Sequence, residues 1–414
     1  MLPVETDVLI VGAGPTGLTL ATALQKAGVD HVLIDALDGA QNASRAAVIH
    51  AHTLEMLQAI DVTASMEAEG IALANFVFRD RDQALLSLSF DDLPSRFRHL
   101  LMIPQTSTEA LIATRLADLG GTVHRSVKAL GATADAVGAT VRVMTADGER
   151  RIRARYVVGA DGMHSVVREA AGIGFQGEAY GESFVLADVQ MDWPLGADEV
   201  SLFFSPAGLV VIAPLPGGSY RIVATLDDAP ETPGIADIQK LLDARGPSAG
   251  ARVTGIGWAS RFRVHHRLAG TYRSGPFLLM GDAAHVHSPA GGQGMNTGLV
   301  DAIVLGEALT RVLRGGAPDT VLDDYARTRR PAAQGVLALA GRLTRIATVR
   351  SVALRRLRNL AMRILDRVPA FKRKMKLGFS GLGRAQYSVL PHTNETPVLR
   401  PVDRQVQSAQ RLAA

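Results

Sequence analysis

Hydrophobic positions open the chain as a nearly continuous run, Asp7–Val11 (DVLIV), that stops at a glycine. A run without polar alternation predicts a strand covered on both faces, as in a parallel sheet. Leu18, Ala21 and Leu24 then recur at helical spacing as far as Gly28, a residue suited to closing a helix. A second apolar run, His31–Ile34, ends at Asp35. Strand, helix and strand in this order predict a βαβ unit, and with it a parallel sheet with helices packed on it.

From about Asn75 to Arg98 the pattern becomes irregular and alternating, as at a sheet edge or hairpin, and Thr108 to Leu119 has helical spacing. The segment VRVMTADGERRIRARYVVGADG predicts a hairpin that runs into another buried strand. Between Glu182 and Arg263 the segments SFVLADVQM, VSLFF, LVVIAPL and YRIVATL alternate between turn residues, which predicts a mostly antiparallel sheet. After Gly275 the α/β character returns with FLLMGDAAH, a helix from about Gln293 to Leu313, and further helix to about Lys376. The expectation is an α/β fold in which a Rossmann-like dinucleotide-binding domain is drawn from residues 1–74, 99–181 and 264–340. An inserted sheet domain for substrate takes 75–98 and 182–263, and 341–414 form a basic helical C-terminal region and tail.

The turn after the first strand reads Gly12-Ala13-Gly14-Pro15-Thr16-Gly17. Gly12 permits the tight exit from the strand, Gly14 lets a pyrophosphate approach the backbone, and Gly17 allows close packing of helix on strand. The helix that follows offers free N–H groups and the positive end of its dipole. Asp35, at the end of the second strand, is placed to accept from a ribose hydroxyl. This motif indicates a dinucleotide without separating FAD from NAD.

Residues 277–296, FLLMGDAAHVHSPAGGQGMN, repeat the logic: a buried strand, an acid, then a glycine-rich turn opening a helix. Here the chain resembles the class A flavoprotein monooxygenases, the para-hydroxybenzoate-hydroxylase-like family. The resemblance implies that Gly281 and Asp282 meet the ribityl chain of FAD, while Pro289, Gly292, Gly294, Met295 and Asn296 cup the flavin ring. Val157 to Gly162, followed by His164, Ser165 and Arg168, resembles the family's Asp-Gly turn, which gives Asp161 a role toward both FAD and nicotinamide. Ser44-Arg45-Ala46 resembles the segment whose arginine lies near the FAD phosphates, although Ile60-Asp61 stands where the family carries Leu-Gly. Gln105, ahead of Thr108-Glu109, resembles the family glutamine beside the flavin.

The resemblance covers about residues 5–380 and implies an FAD-dependent aromatic hydroxylase with NAD(P)H and O2 as co-substrates, working through a flavin hydroperoxide. Compared with polyketide-modifying relatives it looks like a shortened member, with too few residues after Leu382 for their thioredoxin-like domain. Epoxidation, Baeyer–Villiger insertion, halogenation and simple flavin reduction use the same cofactor site and remain open, as does a non-catalytic flavin-binding scaffold. A halogenase is disfavoured because Trp193 and Trp258 lie far apart, leaving no Trp-x-Trp segment. No catalytic side chain is named, and Phe203, Phe204 and Arg221 are candidates for the substrate wall.

Composition trims these classes. There is no cysteine among the 414 residues, which removes disulfides, thiolate metal sites and cysteine nucleophiles and favours a cytoplasmic location. The aromatic share of 5 % does not suggest a nucleic-acid stacking surface. The N-terminus, with Glu5 and Asp7 and no basic leader, predicts a buried strand and not a signal, and no apolar run is long enough to span a membrane. His285 and His287 have no third ligand at metal spacing.

Charge is unevenly spread. From Arg342 onward there are 16 Lys and Arg against 3 Asp and Glu, so of a net +4 the last 73 residues hold +13 and the first 341 hold −9. This region carries an apolar seam at Leu343, Ile346, Leu354, Leu357, Ala361, Ile364 and Val368. One expectation is a helix docked on the body through that seam with its basic face in solvent. The other is attraction to an anionic membrane or an acidic partner.

Overall fold

The structure is a computed structural model that describes residues 2–39, 46–226, 230–289, 291–347, 349 and 351–391. Arg45, expected near the FAD phosphates, lies outside the described residues.

The apolar runs become the centre of a first sheet. Phe277–Leu279, Gly148–Gly159, Glu5–Val11, His31–Ile34 and Val123–His124 lie side by side, all parallel. Leu9 and Ile10 are fully buried, as strands covered on both faces require. Their register places the strand ends in one row: Val11 is level with Ile34 and Gly159, Gly159 with Leu279, and Ile34 with His124. The helix Pro15–Lys26 packs on this sheet, and the helix Gln293–Leu313 packs on that helix. Close approach is possible because small residues meet there: a Cβ on Gly306 would stand 3.0 Å from the Cβ of Ala23.

The second sheet runs in the order His285–Val286, Arg252–Ala269, Phe175–Asp192, Ser219–Thr225, Gly208–Leu215, Glu199–Ser205, Asn75–Asp80, Gln83–Ser89. It is antiparallel except where Glu199–Ser205 runs parallel to Asn75–Asp80. Its alternation sorts side chains onto two faces. Val185, Ala187, Val210, Ile212, Ile222 and Ala224 pack against Ile238, Leu241 and Leu242 of the helix Ile235–Arg245. Their neighbours Phe184, Leu186, Leu209, Val211, Ala213 and Val223 face a cleft between the sheets.

Two expectations fail here. The helix expected from Thr108 begins at Gln105, because Gln-Thr-Ser carries no apolar signal and Pro104 marks the true start. In the basic region, Leu343 is buried, but the seam does not dock the helix Val352–Asp366: Leu354, Leu357 and Ile364 are 56 to 61 % exposed. Polar residues, together with Met362, hold that helix instead. Asn359 Nδ2 donates to Asp80 at 2.5 Å, the backbone N–H of Ser87 donates to Asp366 at 3.0 Å, and the Arg358 guanidinium lies 4.4 Å over the Phe204 ring.

Candidate active site

Four motif-bearing loops leave the first sheet from strand ends that stand in one row, so the motifs converge although some 270 residues separate the first from the last. In an open parallel sheet this carboxyl edge is where ligands collect. A cleft of about 680 Å³ opens there, bounded by the glycine turns on one side and by the second sheet on the other.

Gly12 leaves its strand with φ +103°, and a Cβ would collide with the carbonyl oxygen of Ala160 at 2.4 Å. A Cβ on Gly17 would stand 1.8 Å from the Gly12 oxygen, so that position serves packing and does not line the cleft. Gly14 differs. It lines the cleft, and a Cβ there would meet no protein atom within 4 Å. It caps the helix Pro15–Lys26 with no side-chain cap, and Pro15 and Thr16 also line the cleft. Asp35 Oδ2 accepts from the Ala13 N–H at 2.6 Å and Oδ1 from that of Leu37 at 2.8 Å, which fixes the carboxylate at the cleft edge.

Gly281 and Asp282 line the cleft, with Asp282 exposed at its lip. Pro289, Gly292, Gly294 and Met295 line it as well. Gly292, in the left-handed region at φ 62°, starts the helix Gln293–Leu313 and is not capped by a side chain. Two uncapped helix N-termini thus border one cavity, a setting for anionic groups. Gln105 also lines the cleft, donating to Glu109 at 2.8 Å and accepting from Ala46 N–H at 3.2 Å.

Asn296 does not face the cavity. Its Oδ1 accepts from His50 N–H at 2.8 Å, and its Nδ2 donates to the carbonyls of Val48 and Gly292 at 2.9 and 2.8 Å. It ties the cup to the neighbouring strand. Asp161 sits below the cleft wall made by Ala160, Gly162 and Met163. Its Oδ2 accepts from the N–H groups of Val166 and Val167, while Oδ1 is buried without a hydrogen bond, and burial pushes the carboxyl up.

The substrate wall corrects two of three expected residues. Phe203 pairs with Val210, shares its face, and packs under the sheet against the Trp193 ring. Phe204 is on the cleft side of the alternation but at the far end of its strand, stacked on Phe78 and covered by Arg358. Arg221 does line the cleft, with Asp188 held in a fork at 2.7 Å and the Ala46 carbonyl at 2.8 Å.

Sequence reasoning missed several lining residues. Arg125 follows Val123–His124, a strand too short to read from pattern, and stands 3.8 Å from Asp35. Phe379, at the end of the helix Pro369–Phe379, reaches the cleft from the basic region and meets the Phe76 ring at 5.0 Å. His287 lines the cleft too. Its Nδ1–H donates to the Ser288 carbonyl at 2.8 Å, which leaves Nε2 a buried acceptor without a partner. Burial lowers its pKa to about 4, with the Ser288 bond opposing, so the ring is neutral at pH 7. His285 is turned away into the core, its Nε2–H donating to Asp301 at 2.7 Å. Among the described residues no group of three His, Cys, Asp or Glu side chains could hold a metal ion.

FAD fits this site on the structure's own terms: an open approach at Gly14, two uncapped helix ends, a fixed acid at Asp35, and an adjoining apolar chamber. The fold and site define a flavin-binding protein of the Rossmann type. The chain belongs to the FAD binding domain family, whose model matches residues 5–340. It is 35 % identical over 401 residues to a 6-methylpretetramide 4-monooxygenase of Streptomyces rimosus, covering 92 % of this chain and 70 % of the relative. It is 35 % identical over 346 residues to pentachlorophenol 4-monooxygenase of Sphingobium chlorophenolicum, covering 80 % of this chain and 63 % of that one. Among solved structures, an anhydrotetracycline hydroxylase from Streptomyces rimosus superimposes with a TM-score of 0.77 at 32 % identity, covering 95 % of this chain and 78 % of the other. The expected α/β fold, the FAD cofactor and the kinship with aromatic and polyketide monooxygenases therefore hold.

Proposed function

We propose that the protein is a cytoplasmic monooxygenase that hydroxylates an aromatic or polyketide-like small molecule, turning Ar–H, O2, NAD(P)H and a proton into Ar–OH, NAD(P)+ and water. The observation that supports this reading is a single cavity in which the glycine turns adjoin an apolar wall of Phe76, Phe184, Val211, Val223 and Phe379. Bound FAD supplies the redox chemistry. The chain binds, orients and dries the reactants. Arg221 has its guanidinium engaged by Asp188 and Ala46, so this wall favours uncharged rings over carboxylates. His287, neutral with its Nδ1–H on the Ser288 carbonyl, adds an uncharged polar edge to this lining. Gly162, next to Asp161, and Gly291, Gly292 and Gly294 line the cleft and would border the bound FAD.

Asp282→Ala should weaken FAD binding about tenfold or more, since a hydrogen bond to a carboxylate contributes about 1.5–3 kcal/mol. Flavin fluorescence titration of the apoprotein measures it, and an unchanged Kd would remove Asp282 from the site.

The reaction is tested by offering phenols and polycyclic aromatics with NAD(P)H and isotopically labelled O2. The expected result is one labelled oxygen atom in product for each NAD(P)H consumed. Anaerobic flavin reduction should also rise about tenfold with the accepted substrate, about 1.4 kcal/mol of barrier, because substrate favours the reducible arrangement. Peroxide as the sole oxygen product with every aromatic compound would refute the monooxygenase reading.

A further inference from the structure

The helix Val352–Asp366 is inverted. The side turned toward the second sheet carries Arg358, Asn359 and Asp366, with Met362 as its apolar contact with the core. The outward side is aliphatic: Val352, Leu354, Leu357, Leu360 and Ile364 are 55 to 61 % exposed, and Val368 continues them. At 100° per residue Leu357, Leu360, Ala361 and Ile364 form one stripe, and Arg356, Arg363 and Arg367 run along its edge. From Ser351 to Phe379 there are nine Lys and Arg against one acid, Asp366, which is already bound by Ser87 N–H and Lys372.

We propose that this outward face is a docking surface for an anionic lipid membrane. An aliphatic stripe edged by arginines is the composition that lies in a bilayer interface, with long side chains snorkelling to the phosphates. Charge selects the occupant. A second copy meeting this face about a twofold axis would bring arginine rows together, a like-charge arrangement with no acid to relieve it. The stripe is convex and holds no aromatic anchor of the kind that dominates protein interfaces, which argues against an acidic protein. The basic character continues onto the helix Pro369–Phe379, with Arg373 and Lys374 exposed. That helix, about 16 Å long, ends at Phe379 in the cleft wall, so docking sets the apolar chamber close to a lipid phase in which apolar substrates collect. The inference does not depend on which reaction the cleft performs, and no helix of the described residues is long and apolar enough to cross a membrane.

The test is sedimentation of the full-length, FAD-loaded protein with vesicles of phosphatidylcholine alone or mixed with phosphatidylglycerol. Binding should favour the anionic vesicles by about tenfold or more and fade as salt shortens the Debye length. Leu357→Gln with Ile364→Gln should lose binding by about tenfold or more with flavin content and melting temperature unchanged. Arg356→Gln with Arg367→Gln should erase the preference for anionic lipid. Equal or absent binding of the wild type to the two vesicle types overturns the proposal, as does full binding by the leucine variant. A dimer that the leucine variant converts to monomer would assign the face to a second copy, and capture by soluble polyglutamate without vesicle binding would assign it to an acidic protein.

Discussion

Gly14→Val should yield a folded protein that is colourless as purified and binds FAD at least about a hundredfold more weakly than the wild type. A Cβ at this position meets no protein atom within 4 Å, so folding does not register the change. The isopropyl group instead enters the cleft beside the N-terminus of the helix Pro15–Lys26, where the pyrophosphate of FAD is expected against the backbone. Losing two charge-assisted backbone hydrogen bonds at about 1.5–3 kcal/mol each gives an expected loss of about 3–6 kcal/mol. Gly17→Val provides the contrast, because its Cβ would stand 1.8 Å from the Gly12 oxygen and the sheet must yield. Fluorescence titration and thermal melting of the two apoproteins separate the cases. Wild-type affinity in Gly14→Val would mean that the phosphates do not lie there.

Asp301→Asn should destabilise the fold by about 3–5 kcal/mol, a large share of a typical domain's stability. The carboxylate is fully buried and binds His285 at 2.7 Å, Arg329 Nε at 2.8 Å and the Gly281 N–H at 3.2 Å. The amide leaves the Arg329 charge without a counter-charge in the core. Burial alone would raise the Asp301 pKa, but the charges of Arg329 and His285 and their hydrogen bonds outweigh it and lower it on balance. A carboxyl depressed in the folded state stabilises fully above its unfolded value of about 3.9. That contribution is lost as pH falls through the folded value, so the gap between wild type and variant should stay constant at neutral pH and close in acid. Urea unfolding across pH measures this, and a gap that widens toward acid would contradict the ion-pair account.

The sequence does not announce this network, because Asp301 and Arg329 are ordinary members of helical pattern and nothing in the spacing says that they meet. Local chemistry was legible where a strand, a glycine turn and a helix follow one another, as at Gly12–Gly17 and Gly281–Gly294. Helical spacing predicts the long helix from Gln293 to Leu313, and the structure has it there. The resemblance implies that Asn296 touches the cofactor, but its amide is spent on His50, Val48 and Gly292. Phe203 and Phe204 show a different limit. Period two tells which residues share a face, not which face is the cleft or where along the strand the cleft ends. The outward seam of Val352–Asp366 was visible as amphipathic, yet amphipathicity is symmetric: it cannot say which side is turned to the protein.

The even spacing of the second sheet has a further result for how such a protein can change over time. Along Phe184–Val189, Leu209–Ala213 and Arg221–Ala224, successive residues answer to different demands, one to the cavity and the next to the packing under the helix Ile235–Arg245. Substitutions that reshape the chamber therefore leave the packing under that helix in place, although Leu209 and Ala213 also belong to the main core. The turns after Val11 and Gly159 leave the first sheet instead. A lineage built this way can diversify what the cleft accepts while the helix-backed face of the sheet stays fixed.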